Sequence, residues 1–220
     1  DKTELNRLAE ELTGVKTFIE ALRVQNHEYM NKLHTIAGLI HLGKADQALD
    51  FIFQVTKEQE EITNFLTSHI REYSVAGLLL GKYSRAKELQ IQMAIDRQSR
   101  LQPLPSFIDV FDLVVILGNL LENALDAVKD LEPSQRYIYL GIFDGPADLQ
   151  VIIRDSGIGI PEELQERIFE RGVSTKAETG RGLGLYLVKV HLARLGGTLQ
   201  INSKQKEGTE IKISIPKFIR

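Results

Sequence analysis

The chain has 220 residues, a net charge of −3 and no cysteine. That length suits one large domain or two small ones, and 43% hydrophobic residues can fill a core. The charge offers no basic field for nucleic acid, and the missing cysteines exclude disulfides and thiolate metal sites.

Residues 1–42 read as a first helix. Its apolar positions are Leu5, Leu8, Leu12, Val15, Ile19 and Leu22, then Tyr29, Leu33, Ile36 and Ile40. Steps of three and four are the period of a left-handed supercoil seam. Asn26 breaks the seam, and His27 follows it, placed to turn its ring to solvent. Met30 and Ala37 widen the stripe toward a bundle face. The pattern is already running at residue 5, so a helix is expected to enter from further upstream. Gly43-Lys44 reads as a tight turn, and 45–70 as a second helix with Ala48, Ile52, Val55, Ile62, Phe65 and Leu66 inside. Two helices bury little, so a dimeric four-helix bundle is expected.

A third helix is expected over 71–89, with Val75, Leu78, Leu79 and Ala86 inside, and the domain boundary at or just before it. Ile91–Ile95 alternates as a strand. Gln102–Ser106 is a loop, and Asp109–Val128 a strongly apolar helix. A hairpin follows, Tyr137–Phe143 and Leu149–Arg154, turning at Asp144-Gly145-Pro146. Pro161 opens a short helix to Ile168. Residues 170–182 are polar and glycine-bearing, an expected mobile loop. Leu183–Leu195 is helical, ended by Gly196-Gly197. Thr198–Ser203 and Thr209–Ile215 form a last hairpin. The hairpins predict a mixed sheet with three amphipathic helices on one side. No apolar run is long enough to span a bilayer.

Several polar residues stand out against this frame. Asn119 and Asn123 lie one turn apart on the apolar helix, with Glu122 and Asp126 nearby. Such residues need hydrogen-bond partners or a cation, and an amide oxygen suits Mg²⁺. Taken alone, they cap or bridge core strands as readily. Asp155 ends a strand before Gly157 and Gly159, which let backbone approach a planar ligand. Its carboxylate can accept from an exocyclic amino group such as that of adenine. Gly180-Arg181-Gly182-Leu183-Gly184 opens a helix, where glycine-rich backbone cradles anions. No strand precedes it, so it is not the dinucleotide fingerprint, and Walker A and protein-kinase motifs are absent.

The order Asn119…Asn123, Asp155-x-Gly157-x-Gly159, Phe169, Gly180-x-Gly182-x-Gly184 and Gly208-Thr209 resembles the N, G1, F, G2 and closing Gly-Thr elements of the Bergerat (GHKL) ATP-binding fold. The resemblance implies an α/β sandwich that binds ATP and Mg²⁺, with Asn123 as the metal ligand and Asn119 beside the phosphates. It implies Asp155 as the adenine anchor beside Gly157, Gly159 and Thr209. Phe169 would support a lid, Gly182 and Gly184 would face phosphates, and Lys176 would reach one.

The string Asn26-His27-Glu28-Tyr29-Met30-Asn31-Lys32-Leu33-His34 is similar to the phospho-acceptor box of the bacterial citrate and C4-dicarboxylate sensor kinases, with Tyr29 where that group often has Phe. Leu33 stands where many other histidine kinases carry proline. The implied fold class is α+β: residues 1–70 form a dimerisation and phosphotransfer hairpin, and 71–220 the ATP-binding domain. His27 is the implied phosphoryl acceptor, Glu28 the residue that holds its other ring N–H, and Asn31, one turn on, the residue that places a water for phosphoryl removal. A response regulator is the expected partner, and the full-length protein is expected at the cell membrane with this portion cytoplasmic.

Two other readings differ in class. One is a phosphotransfer scaffold dimer whose ATP-like domain is vestigial. The other is a gyrase-type ATPase, which carries a glutamate base where Asn119 stands here. His34 and His41 read as solvated helix face, and His69 and His191 carry no signal.

Overall fold

The computed structural model describes residues 29–165, 167–170 and 183–218, with residues 53–59 described by backbone alone. Packing divides the chain into two units, Asp1–Thr63 and Asn64–Arg220.

In the first unit, residues 29–41 are helical (α1), and α2 (Ala45–His69) begins after the predicted turn. The turn ends α1 in a defined way. Gly43 takes φ +70°, the Gly43 N–H donates to the Ile40 carbonyl, and the Lys44 N–H to that of Leu39. This is the Schellman pattern, in which glycine relieves the strain of left-handed backbone. Tyr29, Met30, Leu33, Ile40, Leu42, Leu49 and Ile52 are all exposed.

The second unit starts within α2, whose Leu66 is buried. Just beyond the helix, buried Ile70 bridges to Leu101. The elements that follow are α3 (Tyr73–Glu88), β1 (Gln92–Ile95), α4 (Val110–Val128), a 3₁₀ turn (Pro133–Gln135), β2 (Tyr137–Asp144), β3 (Asp148–Asp155), α5 (Glu162–Gln165), α6 (Gly184–Arg194), β4 (Thr198–Lys204) and β5 (Gly208–Pro216). The five strands form one sheet in the order β1-β2-β3-β5-β4. Among the described strand pairs only β1–β2 is parallel, so the sheet is mixed as expected. Alternation sends Leu149, Val151 and Ile153 of β3, Ile138, Leu140 and Ile142 of β2, and Ile211, Ile213 and Ile215 of β5 inward. α4 packs on β2 and β3 and has α3 and α6 as neighbours.

Differences from the sequence reading are small. α3 starts at Tyr73, and α5 stops at Gln165 rather than Ile168, with a turn over 167–169. The 3₁₀ turn carries no hydrophobic period and was not expected. The predicted loop over 170–182 lies almost wholly outside the described residues.

Candidate functional site

α4 is the centre of the site. Asp109 caps it, its carboxylate accepting from the Phe111 N–H at 2.9 Å. Leu113, Ile116, Leu117, Leu120, Leu121, Leu125 and Val128 are buried and hold it in the core. Asp112, Asn119, Asn123 and Ala127, spaced seven, four and four, fall on one stripe of the helix.

That stripe meets the start of α6 and the turn after β3. A Cβ at Gly184 would lie 3.1 Å from Asn119 Oδ1 and 3.8 Å from both amide atoms of Asn123, so α6 begins directly against the two asparagines. Asn119 donates through Nδ2 to the Val115 carbonyl at 2.8 Å, which leaves its oxygen toward Gly184. Asn123 Nδ2 is buried and has no partner among the described residues. One turn further, a Cβ at Gly157 would come 2.6 Å from Ala127 Cβ and 2.7 Å from the Ala127 carbonyl oxygen. Only glycine lets the turn after β3 lie this close to α4.

Asp155 continues the inward-facing series of β3, so strand alternation carries a carboxylate into the core. It is 8% exposed. The Gly157 N–H donates to Oδ1 at 2.8 Å, and the backbone N–H of Thr209, its partner in the β3–β5 register, donates as well. Burial outweighs these two donors and pushes the carboxyl up from 3.8 to about 6. Ser203 ties the floor together: its hydroxyl lies 2.8 Å from that of Thr209, donates to the Gly208 carbonyl at 3.1 Å, and accepts from the Ile160 N–H at 2.8 Å. Gly159, at φ +68°, lies against the Lys204 carbonyl, where a Cβ would meet oxygen at 2.1 Å. The turn after β3 is thus clamped between α4 and the β4–β5 hairpin.

Among the residues singled out from sequence, Asn119, Asn123, Gly157 and Gly184 converge on the α4 stripe, and Asp155, Gly159 and Thr209 adjoin them through the β3–β5 ends. Phe169 is half-buried in a turn after α5, and no described contact ties it to the others. His27, Glu28, Lys176 and Gly182 lie outside the described residues. Asn31 is exposed on α1. Sequence reasoning missed Ser203 and a buried contact between Asp112 and His191. Asp112 shares the asparagines' helical phase, which was a usable signal; its partner 79 residues away was not.

The residues present fit a metal of one kind. Among the described residues no cluster of three His, Cys, Asp or Glu side chains could hold an ion. Glu122 is committed to an ion pair with Lys82. What remains is the side-chain amide of Asn123, whose oxygen is one neutral ligand of the sort that Mg²⁺ accepts alongside water and phosphate oxygens; the unpaired atom, Nδ2, is a donor and ligates no cation.

A cleft of about 530 Å³, lined by His69, Arg97, Arg100, Phe143, Asp144 and Asp148, lies elsewhere. It sits at the β2–β3 turn, seven residues, or about 23 Å of strand, from Asp155. None of the residues above lines it.

Comparison with known proteins places these features. Residues 108–219 match the family model described as histidine kinase-, DNA gyrase B-, and HSP90-like ATPase, and residues 8–67 match that of the sensor kinase SpoOB-type alpha-helical domain. The chain is 46% identical over 217 residues to a probable C4-dicarboxylate sensor kinase of Halalkalibacterium halodurans, covering 99% of this chain and 41% of that protein. It is 36% identical to the sensor histidine kinase DcuS of Escherichia coli (strain K12), covering 98% of this chain and 39% of that one. It therefore spans about 40% of the length of the curated relatives it matches. Among solved structures, the mycobacterial sensor histidine kinase MprB superposes with a TM-score of 0.53 at 24% identity, covering 64% of this chain and 95% of that one; this shows the fold. Full-length ShkA in complex with AMPPNP superposes with a TM-score of 0.52 at 27% identity, covering 64% of this chain and 29% of that one.

Proposed function

The chain belongs to the histidine kinase-, DNA gyrase B- and HSP90-like ATPase family and is the sensor histidine kinase core of a two-component system; from that premise we propose that the α4–β3–β5–α6 site binds Mg-ATP and delivers its terminal phosphoryl group to His27. One observation carries the reading: a single stripe of α4 gathers Asn119, Asn123, Gly157 and Gly184 beside the buried carboxyl of Asp155. ShkA, which shares the fold, was solved with an ATP analogue.

Each residue then has a task. Asp155 accepts from the exocyclic amino group of adenine through the lone pairs that Gly157 and Thr209 leave available. Gly157 and Gly159 keep backbone, not side chain, against the base. Among the described residues no side chain caps α6, which leaves the N–H groups of its first turn, with Gly182 and Gly184, to face phosphate oxygens. Lys176 adds a charge there, Phe169 supports the lid, and Asn119 orients the phosphate side. Asn123 holds Mg²⁺, which when bound supplies charge neutralisation on the phosphates.

The reaction is an in-line displacement. One ring nitrogen of neutral His27 forms the N–P bond as the bond from the γ-phosphorus to the β,γ-bridging oxygen breaks and ADP departs. Glu28 holds the other ring N–H and offsets the charge that grows on the imidazole. A response-regulator aspartate then takes the phosphoryl group. Asn31 positions water for its removal from the regulator.

In this reading residues 1–70 are the phosphotransfer hairpin and 71–220 the catalytic domain. The exposed apolar residues of α1 and α2 support a homodimer through a four-helix bundle. The described helices include none long and apolar enough to cross a membrane. Membrane anchoring and signal sensing fall to the part of the full-length protein that matches the remaining length of its relatives. Incubation with γ-labelled ATP and Mg²⁺ tests the proposal: wild type should carry acid-labile label and His27→Gln none.

A further inference from the structure

Two polar contact points stand out along the packing of α4 on α6, and only one has a task so far. At the first, Gly184 stands against Asn119 and Asn123. At the second, seven residues along each helix, His191 Nδ1 lies 2.5 Å from Asp112 Oδ1. Arg194 Nη1 reaches the same oxygen at 3.2 Å from the rim, and the Phe111 ring stands edge-on to His191 at 6.2 Å. Asp112 is 3% exposed and His191 9%. Residue numbers rise on α6 as they fall on α4, so the helices run antiparallel with two fixed points about 10.5 Å apart.

Two fixed points set both rotation and axial slide. The other buried residues of α6, Val188 and Leu192, are apolar. Apolar surfaces tolerate a shifted register; a buried carboxylate does not, because slippage strands it without its donors. We infer that Asp112 and His191, supported by Arg194, are positioning residues for the nucleotide site: they set the register of α6 on α4 and so hold the Gly184 end of α6 over Asn119 and Asn123. The inference rests on the nucleotide-binding reading of that end of α4. Neither side chain touches nucleotide; both act through where Gly184 stands. Displacement of a positioning element by about 1 Å is enough to cost an order of magnitude or more in a site of this kind.

The test is calorimetric titration of the 220-residue protein with ADP and Mg²⁺, alongside circular dichroism and thermal melting. His191→Leu removes the donor and keeps the bulk; His191→Asn keeps a donor near the Nδ1 position. His191→Leu should bind ADP about tenfold more weakly while retaining wild-type helix content and a cooperative melt, and His191→Asn should stay within about threefold of wild type. A merely structural contact would lower the melting temperature of His191→Leu and leave its affinity unchanged; that result overturns the inference. If His191→Leu does not fold, Asp112→Asn, of the same shape without the charge that holds Arg194, should still lose affinity severalfold, and wild-type affinity there overturns it equally. Absence of binding by wild type is a separate result: it removes the nucleotide reading, and this inference with it.

Discussion

Asp155 and Thr209 stand opposite one another in the β3–β5 ladder, and the Thr209 backbone N–H donates to the Asp155 carboxyl. The pair places an ionisable group at the inward phase of a strand, where burial raises it to about 6. In the folded chain this carboxyl binds its proton more tightly than in the unfolded chain. As pH rises from 3.8 toward about 6, the unfolded state ionises first, so nucleotide-free stability falls through that window and levels off above it. Asp155→Asn should remove the slope and stabilise the protein by about 1–3 kcal/mol at pH 7 to 8 in chemical denaturation.

The same substitution should weaken nucleotide. An amide N–H₂ facing the exocyclic amino group of adenine offers donor to donor, and a loss of tenfold or more in ADP affinity is expected by calorimetry. For wild type, affinity should fall as pH drops through about 6, because protonation removes the acceptor. Asp155→Asn should lack that dependence.

Gly157 and Gly159 make a steric prediction. A Cβ at 157 would sit 2.6 Å from that of Ala127, and one at 159 would sit 2.1 Å from a backbone oxygen, at φ +68°. Gly159→Ala should destabilise by about 1–3 kcal/mol in urea, and Gly157→Ala by a similar amount. Pairing Gly157→Ala with Ala127→Gly should recover little of the loss, because the Ala127 carbonyl oxygen at 2.7 Å stays in the way and glycine inside α4 costs about 1 kcal/mol of its own.

Asn123→Ala separates metal from base recognition. It should abolish autophosphorylation, since the Mg²⁺-dependent part of ATP affinity goes with the amide. Adenosine, which carries no phosphate, should bind as it does to wild type. Equal loss of both ligands would assign Asn123 to packing.

The exposed apolar residues of the first unit predict self-association. Leu33, 39% exposed, and Ile40, 58% exposed, lie two turns apart on α1. Leu33→Glu combined with Ile40→Glu should convert a dimer into a monomer in analytical ultracentrifugation, with ADP binding retained.

Much of this site was legible because its residues are chemically out of place locally. Asn119 and Asn123 interrupt an apolar helix, Asp155 follows an alternating strand, and glycines follow it at fixed spacing. Such contrasts survive in one dimension. The asparagines' proximity to Gly184 was implied by family likeness but not by spacing, since 61 residues separate Asn123 from Gly184. Asp112 shares the helical phase of the asparagines, but nothing in the sequence points to His191 as its partner, and only the packing of α6 on α4 pairs them. Ser203 was hidden in the same way, because its three partners come together only when β4, β5 and the turn after β3 close. The Gly43 turn, by contrast, was readable from one glycine between two helical patterns.

The central claim is that the nucleotide site phosphorylates one imidazole of this chain. The direct measurement is mass spectrometric mapping of the labelled residue after incubation with Mg-ATP, with the protein kept at neutral to alkaline pH so that a phosphoramidate survives. The account predicts phosphate on His27 in wild type and none in Asn123→Ala. Phosphate on another residue, or on His27 of Asn123→Ala to the wild-type extent, would contradict it.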